Sequence, residues 1–393
     1  MPNVFSGCPM KNKGAPRKAI VVGGSVGGLF TAVLLHRAGW RVSVFERSAA
    51  GLAGKGAGLV AQPDVERILA EIGREDVLDS GVLANQRIFL DRNGDILQTV
   101  LTAQSQISWD LLFEAFRSEL PEDSYRRGAS VSSAADDSEA ATITLADGTT
   151  ETADLVIGAD GIGSRIREIV CPKSLPSYAG YVAFRGLSPE TQLPPADADT
   201  LRDRFTFYNA HRTQMLGYLV AGPNGSIEPD SRRYNWVWYR VMTETALARV
   251  LTSDSGEQRQ YSVPAGLLSQ VAHQELIDSA DRELPPVCAR LVKLQPHPFV
   301  QAIFDYEAPS MVKGRIALLG DAAFIVRPHT AMGVSKAAGD AMFLRDSLAR
   351  FGTIEQALDA YGAARHVVGH EIAQYGRRLG ATFEQPHEMI SAH

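Results

Sequence analysis

The sequence predicts an α/β chain in which a mostly parallel, helix-flanked sheet is interrupted by an inserted antiparallel sheet. Three observations carry this reading. The chain opens with an apolar run, a glycine turn and a helical stretch. Two later apolar runs, ending in Asp160-Gly161 and Gly320-Asp321, also lead into helical stretches. The region between those two runs alternates apolar with polar residues. At 393 residues and 45% hydrophobic content, the chain is long enough for more than one core.

Taken in order, residues 1–17 are basic and rich in Pro and Gly. They hold no apolar stretch long enough for a signal peptide or membrane span, and read as a disordered leader in which Met10 is an alternative start. Residues 18–22 read as a strand. LFTAVLLHRAG then places Leu29, Ala32 and Val33 at helical spacing until Gly39 ends the helix, and RVSVFER follows as a second strand.

The turn between them contains Gly23, Ser25 and Gly28, spelling G-x-S-x-x-G where a dinucleotide fingerprint has Gly at its third position. The first Gly serves the tight turn and the last the close packing of helix on strand. The middle position therefore tolerates a small polar residue, whose hydroxyl can donate to a phosphate oxygen beside the positive helix N-terminus. Glu46, 18 residues past Gly28, suits a ribose whose hydroxyls it would bind, and its charge disfavours a 2′-phosphate. A glycine-rich turn without a ligand is the competing reading, and the placement of strand, helix and Glu46 argues against it.

Residues 153–170, ADLVIGADGIGSRIREIV, and 314–344 repeat the strand-turn-helix pattern, although each alone reads equally as an ordinary turn. Residues 176–300 carry LPPADAD, RFTFY and YNWVWYRV. Period-two alternation puts Tyr234, Trp236 and Trp238 on one face, as a packing layer rather than a platform for nucleic-acid bases. Residues from about 353 to 384 are helical in pattern and are expected to pack on the first domain. The predicted organisation is a discontinuous nucleotide-binding domain (18–75, 100–175 and 301–393) with a substrate domain formed by 76–99 and 176–300.

A net charge of −6 with scattered Lys and Arg gives no footprint for nucleic acid or an anionic membrane. Cys8, Cys171 and Cys288 are far apart and in no metal-ligand spacing. The expectation is no disulfide framework, no metal and a cytoplasmic home, with the sequon at Asn224 a chance match.

In combination, G-x-S-x-x-G, GADGIGSRIR and LLGDAAFIVRPHTAMG resemble the single-component FAD monooxygenases, the flavoprotein aromatic hydroxylases, over essentially the whole chain after residue 17. Ser25, GAGLVAQP at 56–63, YAGYVAFRG at 178–186 and RPHTAMGVSKAAGDA at 327–341 are most similar to the branch acting on 2,6-dihydroxypyridine. The resemblance implies a glutathione reductase-type, Rossmann-like FAD domain. Gly23, Ser25, Gly28 and Glu46 would hold the ADP half, Arg47 joins the cofactor set, and Asp160 and Gly161 lie by the pyrophosphate. Asp321 would bind the ribityl chain, and Pro328 to Gly333 would face the flavin pyrimidine ring. Phe324 departs from the family, where many relatives have His, as do Ala331-Met332-Gly333 where they have Gly-Gln-Gly and Trp109 where they have an FAD-binding Arg.

The implied activity uses NAD(P)H and O2 to hydroxylate a small electron-rich ring through a flavin C4a-hydroperoxide, best matched by a dihydroxypyridine, in a homodimer. A helix starting near Gly333 would aim its N-terminus at the flavin N1–C2=O region, where negative charge collects. The substrate must be ionised, and His329 is the leading base, with a structural loop histidine as the competing reading. Arg185 and Tyr218 follow as an oxyanion partner and as a hydrogen-bond donor or proton relay, with a solvated or domain-bridging group as the competing reading for Arg185. Tyr208, His211 and Tyr239 are weaker pocket candidates. Other phenol or hydroxylated N-heteroaromatic hydroxylases, a geranylgeranyl-type flavin reductase and a plain NAD-binding dehydrogenase remain alternatives; WVWYRV does not complete the W-x-W-x-I-P pattern of flavin halogenases.

Overall fold

The computed structural model describes residues 16–52 and 58–381. Most of the expected leader, with Cys8 and Met10, lies outside the described residues, as do Gly56, Ala57 and the chain beyond residue 381.

The chain opens as β1 (Lys18–Val22), α1 (Val26–Arg37) and β2 (Arg41–Glu46). β3 (Gly58–Val60), α2 (Pro63–Ile72), α3 (Asp76–Asp79), the hairpin β4 (Val82–Leu90) and β5 (Ile96–Ser108), α4 (Trp109–Arg117) and β6 (Tyr125–Arg127) follow. A small meander of β7 (Val131–Asp136), β8 (Ala141–Leu145) and β9 (Thr150–Ala153) precedes β10 (Leu155–Gly158) and α5 (Arg165–Val170). Then come β11 (Ser177–Pro189), α6 (Pro195–Leu201), β12 (Arg204–Ala210), β13 (Thr213–Val220) and β14 (Arg233–Val241). α7 (Glu244–Val250), β15 (Ser262–Val263), α8 (Gln270–Glu283), α9 (Pro286–Lys293) and β16 (Phe299–Glu307) complete the middle region. The chain closes with β17 (Val312–Lys313), β18 (Ile316–Leu318), β19 (Phe324–Ile325), α10 (Gly333–Arg350) and α11 (Ile354–Ala381).

The first sheet has the order β17-β18-β10-β1-β2-β6, and all neighbours are parallel except β17 with β18. β1 is buried at Ala19, Ile20, Val21 and Val22 in succession, as a strand covered on both faces must be. Because β1, β2, β10 and β18 point the same way, the turns after them collect at one sheet edge. There the fold gathers Gly23, Glu46, Asp160 and Asp321, the edge at which open α/β sheets bind ligands.

The second sheet has the order β15-β16-β11-β14-β13-β12-β4-β5-β3. The expected aromatic layer is there: Tyr234, Trp236 and Trp238 are fully buried in a core with Leu276 and Ala280 of α8 and Leu291 of α9. The expected boundaries need correction. β5 carries residues 100–108 into this sheet, and β16 extends it to Glu307, because strand pairing continues where the composition already changes. The sheet is also mixed, since β12 pairs with β4 in parallel. The region 176–300 holds four helices besides its strands. α11 packs along α10, as expected of the C-terminal helical stretch.

Candidate active site

At the edge of the parallel sheet, Gly23 turns at φ +105°, and a Cβ there would sit 2.3 Å from the Ala159 carbonyl oxygen. Ser25 is the N-cap of α1 at φ −76° and ψ 177°, an extended geometry open to any residue, so serine costs no backbone strain there. Its hydroxyl makes no capping bond, and the first turn of α1 holds no acid. Glu46 is buried, and its carboxylate accepts from the Gly24 N–H at 2.9 Å and the Ser48 N–H at 2.8 Å. It thereby fixes the fingerprint turn, while each oxygen keeps a lone pair for another donor. Arg47 projects into solvent.

Asp160 ties down the start of α5, accepting from the Ser164 hydroxyl and the Arg165 and Ile166 N–H groups. Burial pushes its carboxyl up against those hydrogen bonds. Gly161 turns at φ +74° with open space beside it. Asp321 is solvent-accessible at the sheet edge, yet desolvation by the surrounding turns pushes its carboxyl up, opposed by the charges of Lys336 and Arg167.

Two groups that sequence reasoning missed hold these loops. Arg167, buried, donates to the backbone carbonyls of Ala322 (2.8 Å), Ile162 (2.7 Å), Gly161 (3.1 Å) and Asp321 (2.7 Å), joining the two aspartate turns. In α10, Asp340 accepts from the Gly320 N–H at 3.1 Å and from Arg365 of α11 at 2.7 Å, while the Lys336 ammonium donates to the Gly320 carbonyl at 2.8 Å. The i, i+4 pair Lys336 and Asp340, set among alanines, was the legible signal for the second group. The helix they stiffen starts at Gly333, after Ala331 in the left-handed region at φ +54°. Its first turn has neither an acid nor a side-chain cap.

The large sheet supplies the other wall. Register places Arg185 opposite Val237 and Phe299, Ala183 opposite Tyr239, and Tyr218 opposite Asn235, so these side chains share one face. That face looks away from the tryptophan core. Tyr208 belongs to the tryptophan core instead, and His211 is exposed in the β12–β13 turn, so both leave the site; a one-residue offset along a strand reverses the face. Tyr218 donates to the Gly58 carbonyl at 2.9 Å, so its proton is committed to backbone rather than offered to a ring oxygen. Arg185 is half-buried with its guanidinium 5.7 Å from the Phe299 ring.

His329 stands against this face, hydrogen-bonded through Nε2 to the Tyr181 hydroxyl at 2.7 Å and edge-on to Tyr239 at 4.4 Å. Burial, reinforced by Arg327 and Arg185, pulls it down to about 3. The expected base of near-neutral pKa is therefore corrected: desolvation of the ring and the two neighbouring cations disfavour the charged imidazole. A stability consequence follows with a fixed sign. The unfolded chain binds a proton near pH 6.5 that the folded one refuses, so this histidine destabilises the fold as pH falls. Its cost is absent above about pH 7 and reaches about 2 kcal/mol at pH 5. A His329→Gln protein is expected to lose less stability than the native one between pH 7 and 5, read from urea unfolding at both values.

The FAD binding domain family matches residues 17–188 and 302–375, and a second, described as FAD binding domain-like, matches 178–305. The chain belongs to the FAD binding domain family. It is an FAD-dependent monooxygenase. The 2,6-dihydroxypyridine 3-monooxygenase of Paenarthrobacter nicotinovorans is 30% identical, with 93% of this chain and 92% of that one covered. The 6-hydroxynicotinate 3-monooxygenase of Pseudomonas fluorescens is 29% identical, with 86% and 84% covered. The solved 2,6-dihydroxypyridine-3-hydroxylase of Arthrobacter nicotinovorans superposes with a TM-score of 0.88 at 28% identity, covering 94% of this chain and 93% of that one.

The residues present fit FAD. Of the helix N-termini at this edge, α5 is capped by Ser164, whereas α1 and α10 lack a side-chain cap and an acid in the first turn, which leaves their N–H groups for phosphate and flavin oxygens. Gly161 and Gly333 have nothing within 4 Å where a Cβ would stand, so backbone faces an open cleft. Of this monooxygenase's departures from its family, Phe324 is structural: its ring fills the space a Cβ on Gly369 of α11 would take, at 2.5 Å. Trp109 stacks on Phe113 at 5.2 Å. Among the described residues there is no cluster able to hold a metal ion and no helix long and apolar enough to cross a membrane.

Proposed function

We propose that this monooxygenase hydroxylates a dihydroxypyridine, 2,6-dihydroxypyridine first among them, at the expense of NAD(P)H and O2. One oxygen atom enters a ring C–H bond and the other leaves as water, with NAD(P)H supplying the electron pair and a proton taken from solvent. When bound, FAD supplies the redox and oxygen-activating chemistry.

In this reading Gly23, Ser25, Gly28, Glu46 and Arg47 hold the ADP half. Asp160 and Gly161 lie at the pyrophosphate, Asp321 at the ribityl chain, and Pro328 to Gly333 at the pyrimidine ring. The observation that carries the substrate assignment is the sheet face on which Arg185, Tyr218 and Tyr239 meet the neutral His329. An ionised ring oxygen needs a permanent cation there, and Arg185 supplies it. His329, neutral and bonded to Tyr181, orients that wall rather than carrying charge.

The test follows NADH and NADPH oxidation, oxygen uptake and product mass together across hydroxypyridines and phenols. A product heavier by one oxygen from 2,6-dihydroxypyridine supports the reading. Fast oxidation yielding only peroxide removes that ring as substrate. Stimulation by 6-hydroxynicotinate alone transfers the assignment to that ring, as the second relative suggests, and no oxygen uptake with any of these rings removes the whole hydroxypyridine and phenol class as substrates. Arg185→Met is expected to weaken binding of the ionised ring by about 10- to 100-fold, the worth of one charge-assisted hydrogen bond, measured by flavin absorbance titration. A homodimer follows the resemblance and is checked by light scattering. The buried free thiols of Cys171 and Cys288 suit a reducing cytoplasm.

A further inference from the structure

Asn235 and Gln106 are the two carboxamides of the large sheet whose buried side chains have no hydrogen-bond partner among the described residues, and of the two it is Asn235 that shares a face with Arg185. It lies in the buried middle of β14, only 1% exposed, and neither its amide nitrogen nor its carbonyl oxygen has a hydrogen-bond partner among the described residues. Burying a carboxamide this way costs stability, about 1 to 3 kcal/mol for each unpaired group, and leucine would fill the same space without that cost. The register fixes where it looks. Asn235 stands directly opposite Tyr218 of β13 and Leu187 of β11, and is two residues along β14 from Val237, the residue opposite Arg185. Its neighbours Tyr234 and Trp236 point into the other core, so the amide is on the face with Arg185 and Tyr218. The Cβ direction of Gly58 points at Tyr218 and Val220, so β3 folds over the same face and helps to shut water out.

A carboxamide offers one donor edge and one acceptor edge in a plane. The complementary ligand is a ring with an N–H beside a C=O, the lactam form of a 2-hydroxypyridine. Resting on the ring-hydroxylase reading above, we propose that Asn235 reads this edge, its Oδ1 accepting from the ring N–H and its Nδ2 donating to the adjacent ring oxygen. Arg185, diagonal to it, then faces the oxygen on the other side of the ring nitrogen. Asn235 is thus a specificity-determining residue that separates N-heteroaromatic rings from carbocyclic phenols.

The experiment compares the FAD-loaded native enzyme with Asn235→Leu on two matched pairs: 2,6-dihydroxypyridine against resorcinol, and 6-hydroxynicotinate against 4-hydroxybenzoate. Dissociation constants come from the flavin absorbance change and stability from thermal unfolding. The native enzyme is expected to prefer the nitrogen ring of at least one pair by about 100-fold, because its carbocycle leaves the buried amide unpaired. In Asn235→Leu that ratio is expected to fall to near one, with the melting temperature unchanged or raised. A structural asparagine gives the opposite: a lowered melting temperature and a preserved ratio, which overturns the inference. Absence of a nitrogen preference in both native pairs overturns it as well. An Asn235-dependent preference confined to 6-hydroxynicotinate upholds the inference while removing dihydroxypyridine as substrate.

Discussion

A Gly28→Val protein is expected to purify colourless. The Cβ of residue 28 would stand 1.9 Å from the carbonyl oxygen of Gly23, far inside contact distance, and the nearest atoms are backbone that cannot rotate away. The first turn of α1 must therefore lift from β1, taking with it the N–H groups that form the phosphate end of the cleft. FAD affinity is expected to fall by at least about 100-fold, read as lost absorbance near about 450 nm and as a weakened dissociation constant for added FAD. Ser25→Gly is the control. Ser25 is extended and makes no capping bond, so restoring the fingerprint glycine leaves flavin content close to native. A yellow Gly28→Val protein would remove this turn from the cofactor site.

The contrast between those two positions shows what the sequence makes legible. Gly28 is constrained by backbone proximity, which a motif encodes locally, and the strand-turn-helix units around Gly23, Asp160 and Asp321 were readable for the same reason. The tryptophan layer was readable because alternation along one strand fixes its face. The separation of Tyr208 from Tyr218 was not, since which face of β12 meets the cofactor domain depends on pairing with β4, a parallel partner far away in sequence. Arg167 sits two residues from the exposed Arg165, and nothing local distinguishes them; its four carbonyl partners come from two separate turns. His329 lies in the turn before α10, where the sequence places it, but no local pattern encodes the downward shift of its pKa. Burial and the neighbouring Arg327 and Arg185 set that shift, and one of those cations arrives from β11.

Asp340→Ala is expected to be the most damaging single change outside the cofactor turns. Asp340 is 2% exposed and is the anion between Lys336, 2% exposed, and Arg365, 8% exposed. Its removal leaves two buried cations uncompensated, a loss of about 3 to 5 kcal/mol, and frees the Gly320 N–H it held. Unfolding by urea is expected to shift by that amount, with FAD binding weakened in parallel because the Gly320-Asp321 turn is released.

Those effects separate in a triple variant, Lys336→Met, Asp340→Leu and Arg365→Met. Replacing a whole buried ionic cluster with apolar residues of similar volume is often neutral for stability, since the desolvation cost disappears together with the attraction. The triple variant should therefore recover most of the stability lost by Asp340→Ala. Its Gly320 N–H and C=O have nevertheless lost both tethers, so FAD affinity is expected to stay low. Recovery of stability without recovery of FAD binding identifies the cluster as the support that aims Asp321. Recovery of both would make it a stability feature alone.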